Sequence, residues 1–544
     1  MKISVRLRAL GVVVCLLFMA LRLTSCLSSK TPPVNSGTVA SDMVTFHNDN
    51  ARTGQSLNET VLTPANVHTP GFGKIAFFTV DGKVDGQPLY PSNVKIPGQG
   101  IHPVLYVVTE HASVYAFDAN NGQYLWNVNL LGAGEGISDP PACGEAVNPE
   151  IGITSTPVID RKQGPNGAIY VVAMSMDTSG HYFQRLHALD VTTGAELFGG
   201  PKTITASFPG VGDNSVGGNV IFDPAQYKDR AALLLLNGVV YTTWASHCDQ
   251  RPYTGWIIGY DATTLNQASV LNVTPNGSYG GIWMSGSGPA ADSQGNIYLL
   301  DGNGTFDETL DANGFPNQGD FGNGFLKLST QGGSLTVSDY FEMTQEQDEN
   351  DNDRDLGSGG TILLPDQTDA SGKVWHLAVG AGKDSNLYLV NRDSMGKYNP
   401  AANAIAQEID SFFPGPVFST PAYFNGTVYY GGVNDKIKAF TLKNAQFPTT
   451  PASKTGNVFP YPGATPSISA NGTKDAILWA VENGFSATLH AYDATDLSKE
   501  LYNSNQAPFT QDQPGPGNKY ITPTIANGKV FVGTTYGVAV YGLR

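Results

Sequence analysis

One short stretch restricts this chain more than any other. Val104-Leu-Tyr-Val-Val-Thr-Glu-His-Ala-Ser-Val-Tyr-Ala-Phe-Asp118-Ala-Asn-Asn-Gly122-Gln-Tyr-Leu-Trp126 reads as strand, tight turn, strand, turn, strand. Inside it, Ala116, Asp118, Gly122 and Trp126 follow A-x-D-x(3)-G-x(3)-W. The spacing assigns each residue a mechanical task. Small Ala116 packs within a sheet, Asp118 accepts turn N–H groups, Gly122 takes a positive φ, and Trp126 fills the gap to a neighbouring sheet. Weaker copies follow at Ala188, Asp190, Gly194 and Phe198, at Gly259 and Asp261, at Ser329 and Gly333, at Leu389 and Asn391, at Ala439, and at Ala491, Asp493 and Leu497. Copies recur roughly every 50 to 70 residues, a period that means a repeated supersecondary unit.

A second element recurs ahead of each unit: Asp85-Gly-Gln-Pro, Ser155-Thr-Pro, Gly217-Gly-Asn, Gly286-Ser-Gly-Pro, Gly357-Ser-Gly-Gly, Ser419-Thr-Pro, Ala464-Thr-Pro and Ile521-Thr-Pro. Small residues suit the start of an inner strand, because inner strands converge on a crowded axis. These eight starts predict an all-β, eight-bladed β-propeller. The last unit has strands at residues 529–534 and 538–543 but no outer strand. Residues 73–80 alternate well enough to supply it, so the ring is expected to close with an N-terminal strand and to leave no open sheet edge.

The N-terminus reads as an export signal. Lys2, Arg6 and Arg8 precede an apolar run over residues 9–21, and Leu23-Thr24-Ser25-Cys26 resembles a lipobox. The expected division is a lipoprotein signal at 1–25, a solvated tether at 26–43 with lipid on Cys26, and the propeller at 44–544. Leu27 after the cysteine leans toward the outer membrane, so the chain is expected to be exported and lipid-anchored in the cell envelope, or secreted. The lipid would be its only attachment to a membrane. A net charge of -16 argues against nucleic-acid binding. Of the four cysteines, Cys143 and Cys248 remain in the folded body, as a disulfide or as two thiols.

The repeats resemble those of the pyrroloquinoline-quinone-like propeller superfamily, over essentially residues 45–544. The opening Asn48-Asp-Asn-Ala-Arg-Thr-Gly54 resembles a group of secreted bacterial propellers. The superfamily holds quinoprotein alcohol dehydrogenases, with the quinone on the propeller axis over calcium, and non-catalytic members such as the propeller lipoprotein of outer-membrane protein assembly. Asp301-Gly-Asn303-Gly resembles the segment whose Asn ligates calcium in those dehydrogenases. Asp351, Asp353 and Asp355 lie near where the resemblance puts a catalytic aspartate, and alternate oxygen donors suit calcium. Trp283 and Trp244, near strand starts, could form a flat wall for the quinone. Glu150 sits beside a strand start but in a different context from the family's Glu ligand.

Against a dehydrogenase, the adjacent-cysteine pair and the C-x-x-C-H haem motif are both absent. No tight quinone binding is therefore expected. Scattered histidines and the lack of a strand-to-helix G-x-S-x-G exclude zinc and serine hydrolases. The function expected from the sequence is a monomeric envelope propeller that binds an unidentified envelope protein or a small ligand. The second reading is a calcium-dependent quinoprotein oxidoreductase acting on alcohols or sugars.

Overall fold

The computed structural model describes residues 42–139 and 147–544. Cys26, the signal and most of the tether lie outside these residues, as does Cys143. Strand occupies 40% of the protein and helix 4%, which makes it all-β as expected. Among the described residues, no helix is long and apolar enough to cross a membrane.

Eight antiparallel meanders follow one another along the described chain. Their inner strands are Val158–Asp160, Leu234–Leu236, Ala290–Ala291, Ile362–Leu363, Ala422–Phe424, Ser467–Asn471 and Thr524–Ala526. In the first meander the inner position is taken by Leu89, bridged to Tyr106. Each sheet shares a buried apolar core with the next. A further core mixes Phe531, Val538 and Val540 of the eighth sheet with Leu105, Val107 and Phe117 of the first. The outer strand of the eighth sheet is Phe72–Thr79, which pairs antiparallel with Gly537–Leu543, so a strand that precedes the first sheet completes the last one.

The repeat residues do their expected work. Gly122 has φ 75°, and its N–H donates to the Asp118 carbonyl at 2.8 Å. A Cβ at Gly122 would meet the Phe78 ring at 2.4 Å. Trp126 lies against Gly194 of the second sheet, where a Cβ would meet the indole at 2.7 Å, and its Nε1 donates to the Val191 carbonyl at 3.1 Å. The turn glycine therefore does two things: it takes the left-handed backbone and leaves room for an aromatic from the adjacent sheet.

One expected strand start is corrected. Gly217 and Gly218, at φ 61° and 83°, turn a hairpin between Ser215–Val216 and Asn219–Ile221 in a separate three-stranded sheet. The third inner strand starts instead after Arg230. A Gly-Gly pair signals a tight backbone wherever it occurs, whether at a crowded axis or in a surface turn.

Phe78 is 4% exposed and stacks on Phe117 with ring centroids 5.1 Å apart, across the junction of the eighth and first sheets. Phe78→Ala is expected to cost about 3 to 5 kcal/mol. Thermal unfolding followed by circular dichroism checks this. A midpoint equal to that of the parent would show that the junction contributes little.

Candidate functional site

Two adjoining cavities open where the N-terminal ends of the inner strands converge. One has a volume of about 580 Å³ and the other about 140 Å³. Asp249, Tyr253, Asn303 and Asp353 line both. Trp283, Asp355, Lys383, Phe418 and Tyr520 line the smaller, and Glu346, Asn350 and Asp351 the larger. A third, much narrower space beyond Trp283 brings in Arg230, Lys228 and Asp85.

Lys383 organises the floor. Its Nζ donates to Asp353 Oδ1 at 2.6 Å and lies 2.7 Å from Asp355 Oδ1. Asp355 is buried, and that burial pushes its carboxyl up despite the lysine. Burial acts to lower the Lys383 ammonium, but the Asp355 and Asp353 charges outweigh it and hold it above the usual lysine value. Lys383 is thus a fixed cation between two carboxylates. Asn303 Nδ2 donates to Asp353 Oδ1 at 2.9 Å, while Asn303 Oδ1 is buried and finds no partner.

The walls are aromatic. Trp283 is half-buried, and its Nε1 donates to Asp249 Oδ1 at 3.1 Å, which fixes the indole plane. Lys228 Nζ lies 4.2 Å from the Trp283 ring centroid, and the Arg230 guanidinium lies 5.4 Å from that of Tyr520. Arg230 is buried, and its Nη1 donates to the Thr154 carbonyl at 2.9 Å. Glu346 on the rim is pushed up to about 8 by burial, with Glu308 and Asp351 adding to the effect. A flat apolar wall, fixed ammonium and guanidinium groups and a rim carboxyl suit a planar ligand with carbonyl or carboxylate oxygens.

No protein-family model and no curated protein sequence matches this chain. Solved structures do match in fold. Quinohemoprotein alcohol dehydrogenase from Comamonas testosteroni is similar at 14% identity, over 92% of this chain and 80% of that one, with a TM-score of 0.59. The shared fold is a β-propeller. A quinohemoprotein alcohol dehydrogenase from Pseudomonas putida HK5 gives 14%, 92%, 80% and 0.61. A europium-containing methanol dehydrogenase gives 14% identity over 92% of this chain and 98% of that one, with a TM-score of 0.57.

The propeller brings the candidate residues Trp283, Asn303, Asp353 and Asp355, from three segments of the chain, to one cavity. Two other candidates are corrected. Trp244 is fully buried within the third sheet, edge-on to Phe222 at 4.9 Å and donating Nε1 to Thr242, so it walls no cavity. Asp351 ends the helix Glu346–Asp351 and accepts from Gln347 at 2.9 Å. The helix breaks the alternation of donors that a calcium loop requires and leaves Asp351 on the rim of the larger cavity. Glu150 pairs with His111 at 2.9 Å. Cys248 is disulfide-bonded.

The donor set does not fit a calcium or lanthanide ion as it stands. A hard cation needs six or more oxygens, yet the point between Asp353 and Asp355 is held by an ammonium. Among the described residues, no three His, Cys, Asp or Glu side chains could hold a metal. Asp249, Arg230, Lys383 and Tyr520 had no mark in the sequence. Asp249 adjoins Cys248 and Tyr520 adjoins the Ile521-Thr-Pro strand start, but neither had a signal of its own.

Proposed function

We propose that the protein is a ligand-binding propeller of the cell envelope. In this reading its axial cavity takes a small planar molecule with carbonyl or carboxylate oxygens, without a divalent cation. The observation that carries the reading is Lys383, whose ammonium is 2.6 and 2.7 Å from Asp353 and Asp355 in a cavity walled by Trp283. A protonated lysine donates to carbonyl oxygens and also supplies the charge that a metal would. The larger volume of about 580 Å³ is that of a small-molecule site rather than of a surface dimple. Attachment through lipid on Cys26 belongs to the same proposal.

The second reading is a calcium-dependent quinoprotein oxidoreductase. It is favoured by Asn303, whose buried, unpaired Oδ1 and its bond to Asp353 put an oxygen donor at the cavity wall. Calorimetric titration with pyrroloquinoline quinone, a planar and carboxylate-bearing probe, separates the two. Saturable binding at tens of micromolar in EDTA, unchanged by calcium and weakened at least tenfold in Lys383→Ala, is the expected result. Absence of saturable binding overturns the proposal. So does binding that requires calcium and supports alcohol-dependent dye reduction, which installs the second reading.

A further inference from the structure

The segment that opens with Asn48-Asp-Asn-Ala-Arg-Thr-Gly54 has a place in the fold that its sequence did not reveal. It bonds to the inner strands of seven sheets in turn and to the turn that follows the inner strand of the eighth. Met43 exchanges two backbone bonds with Tyr90 of the first sheet, each 2.7 Å, and the Val44 carbonyl accepts Ile159 N–H of the second at 2.9 Å. Asn50 Nδ2 donates to Leu235 of the third at 2.9 Å. Carbonyls of Asn50, Ala51, Thr53 and Gly54 accept N–H groups of Ala291, Leu363, Tyr423 and Ile468, in sheets four to seven, at 2.6 to 2.9 Å. Glu59 Oε2 accepts Gly528 N–H, beside the inner strand of the eighth sheet, at 2.9 Å.

Arg52 is the centre of this arrangement. It is fully buried, and it donates to Pro289 O at 2.9 Å, Leu233 O at 3.2 Å, Phe46 O at 2.9 Å and Thr45 Oγ1 at 2.7 Å. Burial draws it down to about 10, still protonated at neutral pH. The adjacent His47 is also fully buried, with Nδ1 2.6 Å from Arg52 O and Nε2 2.8 Å from Pro466 O. The cavity is lined by Arg230, Ser285, Ser358 and Phe418, whereas the segment bonds to Leu235, Ala291, Leu363 and Tyr423. Those positions are five or six residues further along the chain, within the inner strands, whereas the cavity residues precede the strands, Ser285 and Ser358 in short 3-10 turns.

We propose that residues 43–59 are an axial hub, one continuous segment that couples all eight sheets. From the far end it sets the spacing of the strands that carry the cavity, with Arg52 as its positioning residue. Because a single chain segment holds every bond, loosening it at Arg52 releases sheets that Arg52 does not touch. This holds whatever the cavity binds.

Hydrogen exchange on the full chain, read by mass spectrometry, tests it. In Arg52→Ala the amides of Ile159, Ala291, Leu363, Tyr423 and Ile468 are expected to exchange at least tenfold faster together. Gly302 and Lys383 N–H at the cavity, bonded to Gly281 O and Asp355 O at 2.9 Å each, should follow. Ethylguanidinium at low millimolar concentration, which resupplies the missing donor, should slow all of them again. Acceleration confined to peptides around Leu233 and Pro289 overturns the hub. Unchanged Gly302 and Lys383 overturn its hold on the cavity. Should Arg52→Ala not fold, Arg52→Lys keeps the charge but loses the forked reach, and it is read by the same amides without the rescue.

Discussion

Raising the pH from about 5 to about 9 is expected to lower the thermal midpoint by about 5 °C or more. The cause is a set of carboxyls that the fold buries away from water. Asp229 is 4% exposed, and burial pushes it up to about 8 although the Ser155 hydroxyl, 2.9 Å away, and Arg230 pull it back. Burial pushes Glu349 up to about 9, with Asp384 adding, and Glu110 up to about 10, with Asp85 adding and Lys83 opposing. In the unfolded chain these groups titrate near 4. Between there and their folded values, the folded state holds protons that the unfolded state has lost. Their contribution is therefore complete in acid and is lost as pH rises through the folded values, at about 1.4 kcal/mol per unit for each group that stays protonated. His47 acts in the opposite sense below about 6.5, because burial holds its ring neutral while the unfolded ring takes a proton. Three such carboxyls outweigh one ring, so stability is expected to be greatest in moderate acid, close to where the unfolded carboxyls titrate.

Asp229→Asn isolates one of these carboxyls. The amide keeps an acceptor for Ser155 and cannot ionise, so its midpoint should fall less steeply with pH than that of the parent. Superimposable profiles would show that Asp229 carries no proton in the folded protein. A midpoint that rises with pH across the window would mean that the buried acids as a group are ionised.

The repeat was legible in the sequence because its residues act locally or on one neighbour. Asp118 and Gly122 shape their own turn, and Trp126 needs only the turn at Gly194 in the next sheet. An outer strand near residues 73–80 was legible because alternation and the unfinished last unit pointed to the same segment. The cavity was not legible in that way. Its side chains come from positions 230, 249, 283, 303, 355, 383 and 520, and only the convergence of inner strands brings them together. Lys383 lies in Gly382-Lys-Asp, where no spacing distinguishes an ion-pair lysine from a solvated one. Trp244 misled because a large aromatic close to a strand start can face the axis or the space between sheets. Both faces of its strand, Val239–Ser246, are packed.

Removing the Lys383 ammonium is expected to change which cation the site takes. Asp355 is buried and Asp353 accepts the Asn303 amide N–H, so Lys383→Met leaves two carboxylates around an uncompensated point. Breaking such a pair from one side costs about 3 to 5 kcal/mol, because the remaining charge must be desolvated alone or take up a proton. In EDTA the variant should therefore melt well below the parent. Calcium or lanthanum ions can occupy the vacated point, and an ion present at a hundred times its dissociation constant returns about 2.7 kcal/mol. The variant's midpoint should recover with added ion, while the parent's, with its ammonium in place, should not respond. A variant that melts with the parent and ignores calcium would mean that the two aspartates are not held together by Lys383. A parent that calcium itself stabilises would mean that the ion displaces the ammonium, which would return Asn303, Asp353 and Asp355 to the role of metal ligands and favour the oxidoreductase reading.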